Sequence, residues 1–425
     1  MTTNQLPMPL EGIRVLDLGM FWAGPFAGKL LADAGAEVIK IESPSHPDNL
    51  RILARGVYPD GEAGERPWNR SGMINERNRG KRGAAIELGT EAGRAIFREL
   101  VAISDVVIQN FSTRVMANWG LDYPQLREIN SGIILCSIYS QGSQGPESGF
   151  VSFGGTLEQI GGITNLTGYQ NELPGGFTIQ LPDPLGGTIA AGMVVAALRQ
   201  RRITGEGSLI DLSQRENVTT LLGDEVVGHQ FGARPAERLG NRDQLMAPQG
   251  CYPCDGEDAW VTLAVANDEE WSHLCEAIGQ PGLREDERFA TVLLRHEHHD
   301  AIDQILTDWS RTRDKHQAMQ ELQAHGVRAG AVQDSRDLYA DSQLRARGFW
   351  ERVEDPDAGS HEYPGAPARF ARTPLGTGRA TPTLGQDNDY VLRDLLGKSE
   401  VEVAKLLADN IVGEDPTEAA QLGHL

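Results

Sequence analysis

The run Leu181-Pro-Asp-Pro-Leu-Gly-Gly187 sets one carboxylate, Asp183, at the head of a stretch of small apolar residues, Thr188-Ile-Ala-Ala-Gly-Met-Val-Val-Ala-Ala-Leu198. That pattern predicts a helix packed against other backbone, ended by the stop signal Thr204-Gly-Glu-Gly207. The positive end of such a helix favours an ionised carboxylate. A carboxylate held in a partly dry pocket is a nucleophile toward a thioester or another acyl group. Asp followed by Pro is also a common helix N-cap, and from this segment alone capping is the favoured reading. Arg77-Asn-Arg-Gly-Lys-Arg82 is the densest positive cluster of the chain. It suits a phosphate-rich ligand such as a nucleotide or coenzyme A, and reads equally as a solvated loop leading into a strand at Ala84–Leu88. Asn110-Phe111 directly follows an apolar strand, where open α/β sheets take ligands. On its own, that Asn is better read as a cap on its loop.

Other candidates carry less. Gly19, Gly24 and Gly28 with Glu42 invite a dinucleotide reading, but Gly19-Met-Phe-Trp-Ala-Gly24 departs from G-x-G-x-x-G and Trp22 is too bulky for close backbone approach, so no NAD is expected. Cys251-Tyr-Pro-Cys254 has no second pair, with Cys136 and Cys275 far off, so no metal is expected. His296-Glu-His-His299 reads as a solvated helical face.

The elements that must position these groups open β-α-β: a strand at Ile13–Leu18, a helix at Gly24–Ala34 and a strand at Glu37–Glu42. Helical stretches Glu91–Ile103 and Tyr123–Ile129 precede apolar strands at Asp105–Gln109 and Gly132–Ser137, and another strand is expected at Ser208–Leu212. Alternation of this kind gives the fold class α/β, a Rossmann-like parallel sheet covered on both faces. After about residue 225 the character changes. Gly240–Asp258 is rich in turn formers, Ala259–Val265 is a lone strand, and polar helical sequence runs from Glu269 to His325. Strand character returns at Val327–Val332, Val391–Asn410 is helical, and Gly413–Leu425 reads as a frayed tail. The expected domains are 1–225, the large Rossmann-like part; 226–330, a smaller α+β domain; and 331–425, rejoining the first.

At 425 residues the chain has room for two domains and a sizeable core. Its formal charge of −21 argues against nucleic acid or an anionic membrane as partner, while leaving room for a small anion in a local basic pocket. The start MTTNQLPMPL has neither a basic nor an apolar leader segment, and the longest apolar run, Ile189–Leu198, is too short for a membrane span. With 4 Cys in so long a chain, a reducing cytoplasm is expected.

Taken in order, the motifs resemble the family III CoA-transferases, which include formyl-CoA transferase, carnitine CoA-transferase and the α-methylacyl-CoA racemases. The resemblance rests on Pro9-Leu-Glu-Gly-Ile-Arg-Val-Leu-Asp17, Ala23-Gly-Pro25, Leu31–Glu42, Asn78-Arg-Gly-Lys-Arg82, Asp105–Phe111, Ala196-Ala-Leu-Arg199 with Thr204–Gly207, and Pro382-Thr-Leu-Gly385. It implies that Asp183 is the catalytic aspartate, passing through a mixed anhydride and an aspartyl-CoA thioester with no tightly bound cofactor; coenzyme A and acyl-CoA enter as substrates. It places coenzyme contacts at Trp22 and Ala23, at Ile86, Glu87 and Leu88, at Asn110 and Phe111, and in the loop with Val151, Phe153 and Gly154. Arg79, Lys81 and Arg82 are the candidates for the coenzyme's phosphates. Ser43, Gly89 and Asn118 stand where some members carry basic groups or other coenzyme contacts. Phe153 and Gly154 replace the His and Asp that the racemases use, which removes one base from a two-base racemisation. Formyl-CoA transferase matches poorly, because Leu239–Pro248 stands in place of its glycine run.

The implied activity moves CoA from a succinyl-CoA-like donor to a dicarboxylic or aromatic acid. Two other readings are a racemase or isomerase of the same superfamily, and a structural subunit of a heteromeric CoA-transferase. The implied assembly is an interlocked homodimer, with a related chain as the alternative partner.

Overall fold

The computed structural model describes residues 6–52, 57–376 and 378–422. Met1–Gln5 of the leader reading and the last three residues of the tail lie outside the described residues.

Among the described residues, six strands form one parallel sheet: β1 (Arg14–Asp17), β2 (Glu37–Glu42), β3 (Arg82–Ala85), β4 (Val106–Gln109), β5 (Ile134–Tyr139) and β6 (Ser208–Ser213). Their order is β3-β2-β1-β4-β5-β6, so the winding direction reverses between β1 and β4. The loops leaving those two strands part at that point and leave a crevice at the strand C-termini. β4 shows why the sheet is covered on both faces. Val107 packs into a core with Leu16, Ile39 and Leu135, joined by Phe97 and Leu100 of helix α2 (Glu91–Ala102), while Val106 and Ile108 point the other way. There they meet Ala27 and Leu31 of helix α1 (Ala23–Asp33), together with Ala190 and Val194.

Two shorter helices, α3 (Gly154–Ile160) and α5 (Gln214–Thr220), flank the 23-residue helix α4 (Pro182–Thr204). Small residues let α4 lie against α1: a Cβ at Gly187 would stand 2.7 Å from the Ala23 carbonyl oxygen. Gly187→Val is expected to lower unfolding stability by about 1–3 kcal/mol, read as a reduced denaturant midpoint at unchanged slope. Among the described residues, only one side of α4 is covered. Gly186, Gly187, Ala190, Ala191, Val194 and Ala197 are buried, but Ile189, Met193, Val195 and Ile203 are exposed. Its expected burial is therefore met on one face alone.

Contacts divide the chain into two compact units. The larger takes in the residues up to Ile163, Gly176–Val227 and those from Ala346 on; the smaller is Thr164–Gly175 with Gly228–Arg345. Segments 164–175 and 331–345, placed by sequence with the large domain, thus belong to the smaller unit. Gly240 N–H donates to the Gly168 carbonyl, Arg238 to the carbonyls of Asn165 and Glu172, and Lys315 to the Val332 carbonyl.

The smaller unit has an antiparallel sheet, β7 (Gln249–Pro253), β8 (Trp260–Ala264) and β9 (Arg328–Ala331), in that order. β8 is therefore central rather than alone. Its neighbour β7 was hidden in the turn-rich stretch because it contains Gly250, Cys251 and Pro253. Trp271, Leu274, Phe289, Ile302 and Leu306 fill the core beneath. The His296–His299 stretch is not a solvated face: Arg295 and His299 are buried, with His299 Nε2 accepting from the Gln249 N–H at 3.2 Å. In the larger unit a hairpin, β10 (Trp350–Asp355) and β11 (Gly359–Pro364), precedes the C-terminal segment. The described part of the tail is not frayed, since Thr417 N–H donates to the Pro44 carbonyl and Ala420 is buried.

Candidate active site

The crevice is built on the loop after β1. Gly19 N–H donates to Asp17 Oδ1 (2.8 Å) and Phe21 N–H to Asp48 Oδ1 (3.1 Å). Asn110, just past β4, accepts from Met20 N–H and donates to the Met20 carbonyl, both at 2.8 Å. These bonds hold Phe21 at φ 62°, a left-handed conformation that a non-glycine residue adopts only when its surroundings impose it. Asn110 thus pins the loop after β1 rather than capping its own, and it also lines the cavity described below.

Behind the loop runs a buried ionic network. Lys81 Nζ donates to Asp17, the Pro25 carbonyl and Asn78, each at 2.7 Å. Burial pushes its pKa down to about 8 against the pull of Asp17. Lys40 pairs with Asp48; burial opposes its charge, but Asp48, Asp17 and Glu42 outweigh that and hold its pKa above the ordinary lysine value. Glu42, the acid of the dinucleotide reading, is clasped by Arg51 at 2.8 Å.

The phosphate candidates are engaged in the same way. Arg79 pairs with Glu351 and the Pro364 carbonyl and lies over the Tyr363 ring. Arg82 bonds Glu37 and Asp387 and stacks on Tyr390 at 3.8 Å. Lys81 is fully buried. Within the chain the charges of these three answer carboxylates, and none of them lines either cavity described below. Ile86 is likewise buried in the core and bridges to Val412.

Two cavities open at the strand ends and share Phe111 in their walls. One, of about 360 Å³, is mainly apolar, lined by Leu18, Ile41, Leu88, Val115 and Trp119 with Glu87 and His46 among its polar residues. Ser43 donates to Glu87 at 2.5 Å and Ser45 bonds the same oxygen; burial opposes the charge, but these two hydroxyls hold the Glu87 carboxyl below its ordinary pKa. The other cavity, of about 680 Å³, is walled by Phe21, Trp22, Arg77, Asn110, Val151, Phe153 and Asp183 among others. Phe153 meets Phe21 edge to face at 5.7 Å, and Phe150, Val151 and Phe153 are exposed at its mouth. Ala23, the first residue of α1, is buried, and its carbonyl faces Gly187.

Asp183 is not the helix cap. Leu181 occupies that position, Pro182 takes the first helical place, and Asp183 lies in the first turn with its side chain at the cavity. Gly154 makes room for it, since a Cβ there would stand 2.8 Å from Asp183 Oδ2. With its amide nitrogen turned toward α4, Gln214 donates to Asp183 Oδ1 (3.3 Å) and to the Pro182 carbonyl (3.2 Å). Burial is the largest influence on the Asp183 carboxyl, raising its pKa to about 6; Arg77 opposes the rise and Glu158 adds to it.

Sequence reasoning did not single out Glu158 or Arg77. Glu158, buried on α3, accepts from the N–H groups of Phe177 and Leu181, both at 2.9 Å, and so fixes the lead-in to α4. Arg77 lay inside the positive cluster, and nothing local marked it as the member that turns to the cavity.

An open sheet of this order, with its cavities at the switch point, is the architecture of an α/β protein that binds a nucleotide-like ligand across the strand ends. The chain belongs to CoA-transferase family III, whose family model matches residues 10–388, and it is a CoA-transferase. It is 34% identical over 412 residues to the succinyl-CoA–D-citramalate CoA-transferase of Chloroflexus aurantiacus, covering 97% of this chain and 100% of that one. It is 32% identical to the succinate–glutarate CoA-transferase of Agrobacterium fabrum, over 92% of this chain and 96% of the other. The structure resembles that of a CAIB/BAIF family protein from Brucella suis with a TM-score of 0.83 at 30% identity, covering 91% of this chain and 99% of that one. Among the described residues, no helix is long and apolar enough to cross a membrane.

Proposed function

We propose that this enzyme transfers CoA from succinyl-CoA to a dicarboxylic acid through covalent intermediates on Asp183. The observation that carries the proposal is the half-buried Asp183 carboxylate, set in a cavity that shares the wall residue Phe111 with an apolar pocket. The apolar pocket takes the adenosine end of the coenzyme between Leu88, Phe111 and Trp119. The pantetheine arm passes Trp22, Ala23 and Asn110 beneath Val151 and Phe153, and brings the thioester to Asp183.

An Asp183 oxygen attacks the thioester carbonyl and expels CoA thiolate, leaving an aspartyl–succinyl anhydride. The thiolate attacks the aspartyl carbonyl, releasing succinate and forming the aspartyl-CoA thioester. The acceptor carboxylate then displaces CoA to form a new anhydride. Attack of the thiolate on the acceptor carbonyl yields the acyl-CoA product and restores Asp183. In this reading the free backbone amides that open α3, beginning at Gly154, stabilise the oxyanions. The described residues lining the cavity include no His or Lys to serve as a racemase base, which favours transfer over isomerisation.

Incubation with succinyl-CoA and a panel of carboxylic acids, followed by mass spectrometry of the thioesters, tests this. Acceptor-dependent appearance of a new acyl-CoA is expected, and conversion of an acyl-CoA without any acceptor would overturn the reading. Because only the ionised carboxylate attacks, kcat/KM for succinyl-CoA should rise with pH through about 6 and then level. Removing the neighbouring charge in Glu158→Gln should move that acid limb to lower pH, and a pH-rate profile of both proteins measures it.

The active unit proposed is an interlocked homodimer, resting on the family resemblance and on the apolar face of α4 at Ile189, Met193 and Val195 left uncovered within one chain. Light scattering of the purified chain is expected to give twice its 46.3 kDa mass. The proposed location is the cytoplasm.

A further inference from the structure

The cavity holding Asp183 has one other charged group in its walls. Among its described lining residues, Arg77 is the one cation and Asp183 the one carboxylate. Arg77 ends the short helix Gly72–Arg77 and is 9% exposed, its guanidinium carbon 3.9 Å from the centroid of the Trp22 ring. Unlike those of Arg79, Lys81 and Arg82, its side chain has no hydrogen bond or ion pair with any described residue; Glu76, Asp48 and Asp183 act on it through charge alone. Asp48 is already paired with Lys40. A buried guanidinium with unused donors is costly unless a ligand completes it. Its contact with the Trp22 ring holds the guanidinium in the cavity wall, and its planar fork suits a bidentate anion.

We infer that Arg77 binds the distal carboxylate of a dicarboxylic acyl group while the other end of that group reacts at Asp183, and so selects dicarboxylic over monocarboxylic acids. This rests on the proposed transfer reaction and names the residue that sets its substrate class. The coenzyme's adenosine phosphates are the weaker match, because Arg77 lines the cavity of the reacting carboxylate and not the apolar pocket around Leu88 and Trp119. A dicarboxylic acyl chain is what places a second negative charge in that cavity at a distance from the reacting carbonyl. A monocarboxylic chain of equal length leaves Arg77 desolvated and unpaired.

The test compares glutarate with valerate as acceptors, which match in carbon chain and differ in one carboxylate. In a ping-pong cycle kcat/KM for the acceptor is independent of the donor step. The wild type should favour glutarate by about 100-fold or more. Arg77→Met, which keeps an apolar stem on Trp22, should collapse that ratio to within about tenfold, chiefly through KM for glutarate, with Arg77→Lys in between. Equal losses for both acceptors in Arg77→Met, or a wild type that does not distinguish them, would overturn the inference while leaving CoA transfer standing. The wild-type comparison needs no variant, so a misfolded Arg77→Met leaves the test intact. Failure of the wild type to transfer CoA to either acid, or to any acid of the wider panel, would instead sink the transfer reading itself.

Discussion

Asp183→Asn is expected to lower kcat by at least about 10⁴-fold, the order lost when a covalent nucleophile is removed, while coenzyme affinity stays within a few-fold. The amide is nearly the same size and can still meet Gln214, but it has no anionic oxygen to open a thioester. The surroundings that make Asp183 reactive also predict that the variant is not merely unfolded. Burial raises the pKa of this carboxyl to about 6, above its ordinary 3.8, so the fold favours the protonated form. That contribution to stability is fully present below the unfolded pKa and is lost as pH rises through about 6. At pH 7 the ionised carboxylate is a burden on the fold that Asn removes. Asp183→Asn should therefore melt no lower than the wild type at pH 7, and calorimetry beside the rate assay separates lost chemistry from lost structure.

The next largest effect is expected at Gly154. A Cβ there would lie 2.5 Å from Gln180 Cβ and 2.8 Å from Asp183 Oδ2. Gln180 has little freedom to yield, since it already sits at φ 53°. The carboxylate is the free end of its side chain, so it is the group that moves. Displacing a nucleophile by about 1 Å costs on the order of 100-fold in rate. Gly154→Ala should show that loss in kcat, with little change in the KM for succinyl-CoA. A Cβ at Gly155 would meet nothing within 4 Å, so Gly155→Ala separates crowding of Asp183 from a general effect of alanine at the start of α3.

Much of this architecture was legible in the sequence because its signals are local. β1, β2, β4 and β5 are short apolar runs, and the small residues of α4 declare a helix laid against backbone. Asp183 was legible as a carboxylate at a helix start, though the cap fell to Leu181 once Pro182 took the first helical position. What stayed hidden depends on partners far along the chain. Lys81 and Arg77 are four positions apart in one basic cluster, and nothing near them tells that Lys81 pairs with Asp17 while Arg77 stacks on Trp22. Glu158 reads as an ordinary helical acid until the chain returns at Phe177 and Leu181 to offer it two N–H groups. β7 was lost because glycine, cysteine and proline mask a strand that β8 stabilises by pairing.

The central claim, a covalent route through Asp183, is tested most directly by intact-protein mass spectrometry after brief exposure to succinyl-CoA without acceptor, with Asp183→Asn alongside. The account predicts a mass increase equal to CoA less water on the wild type, removed by hydroxylamine, mapping to the peptide that contains Asp183 and absent from the variant. A CoA adduct on Asp183→Asn, or full transfer activity in a wild type that never carries one, would contradict it.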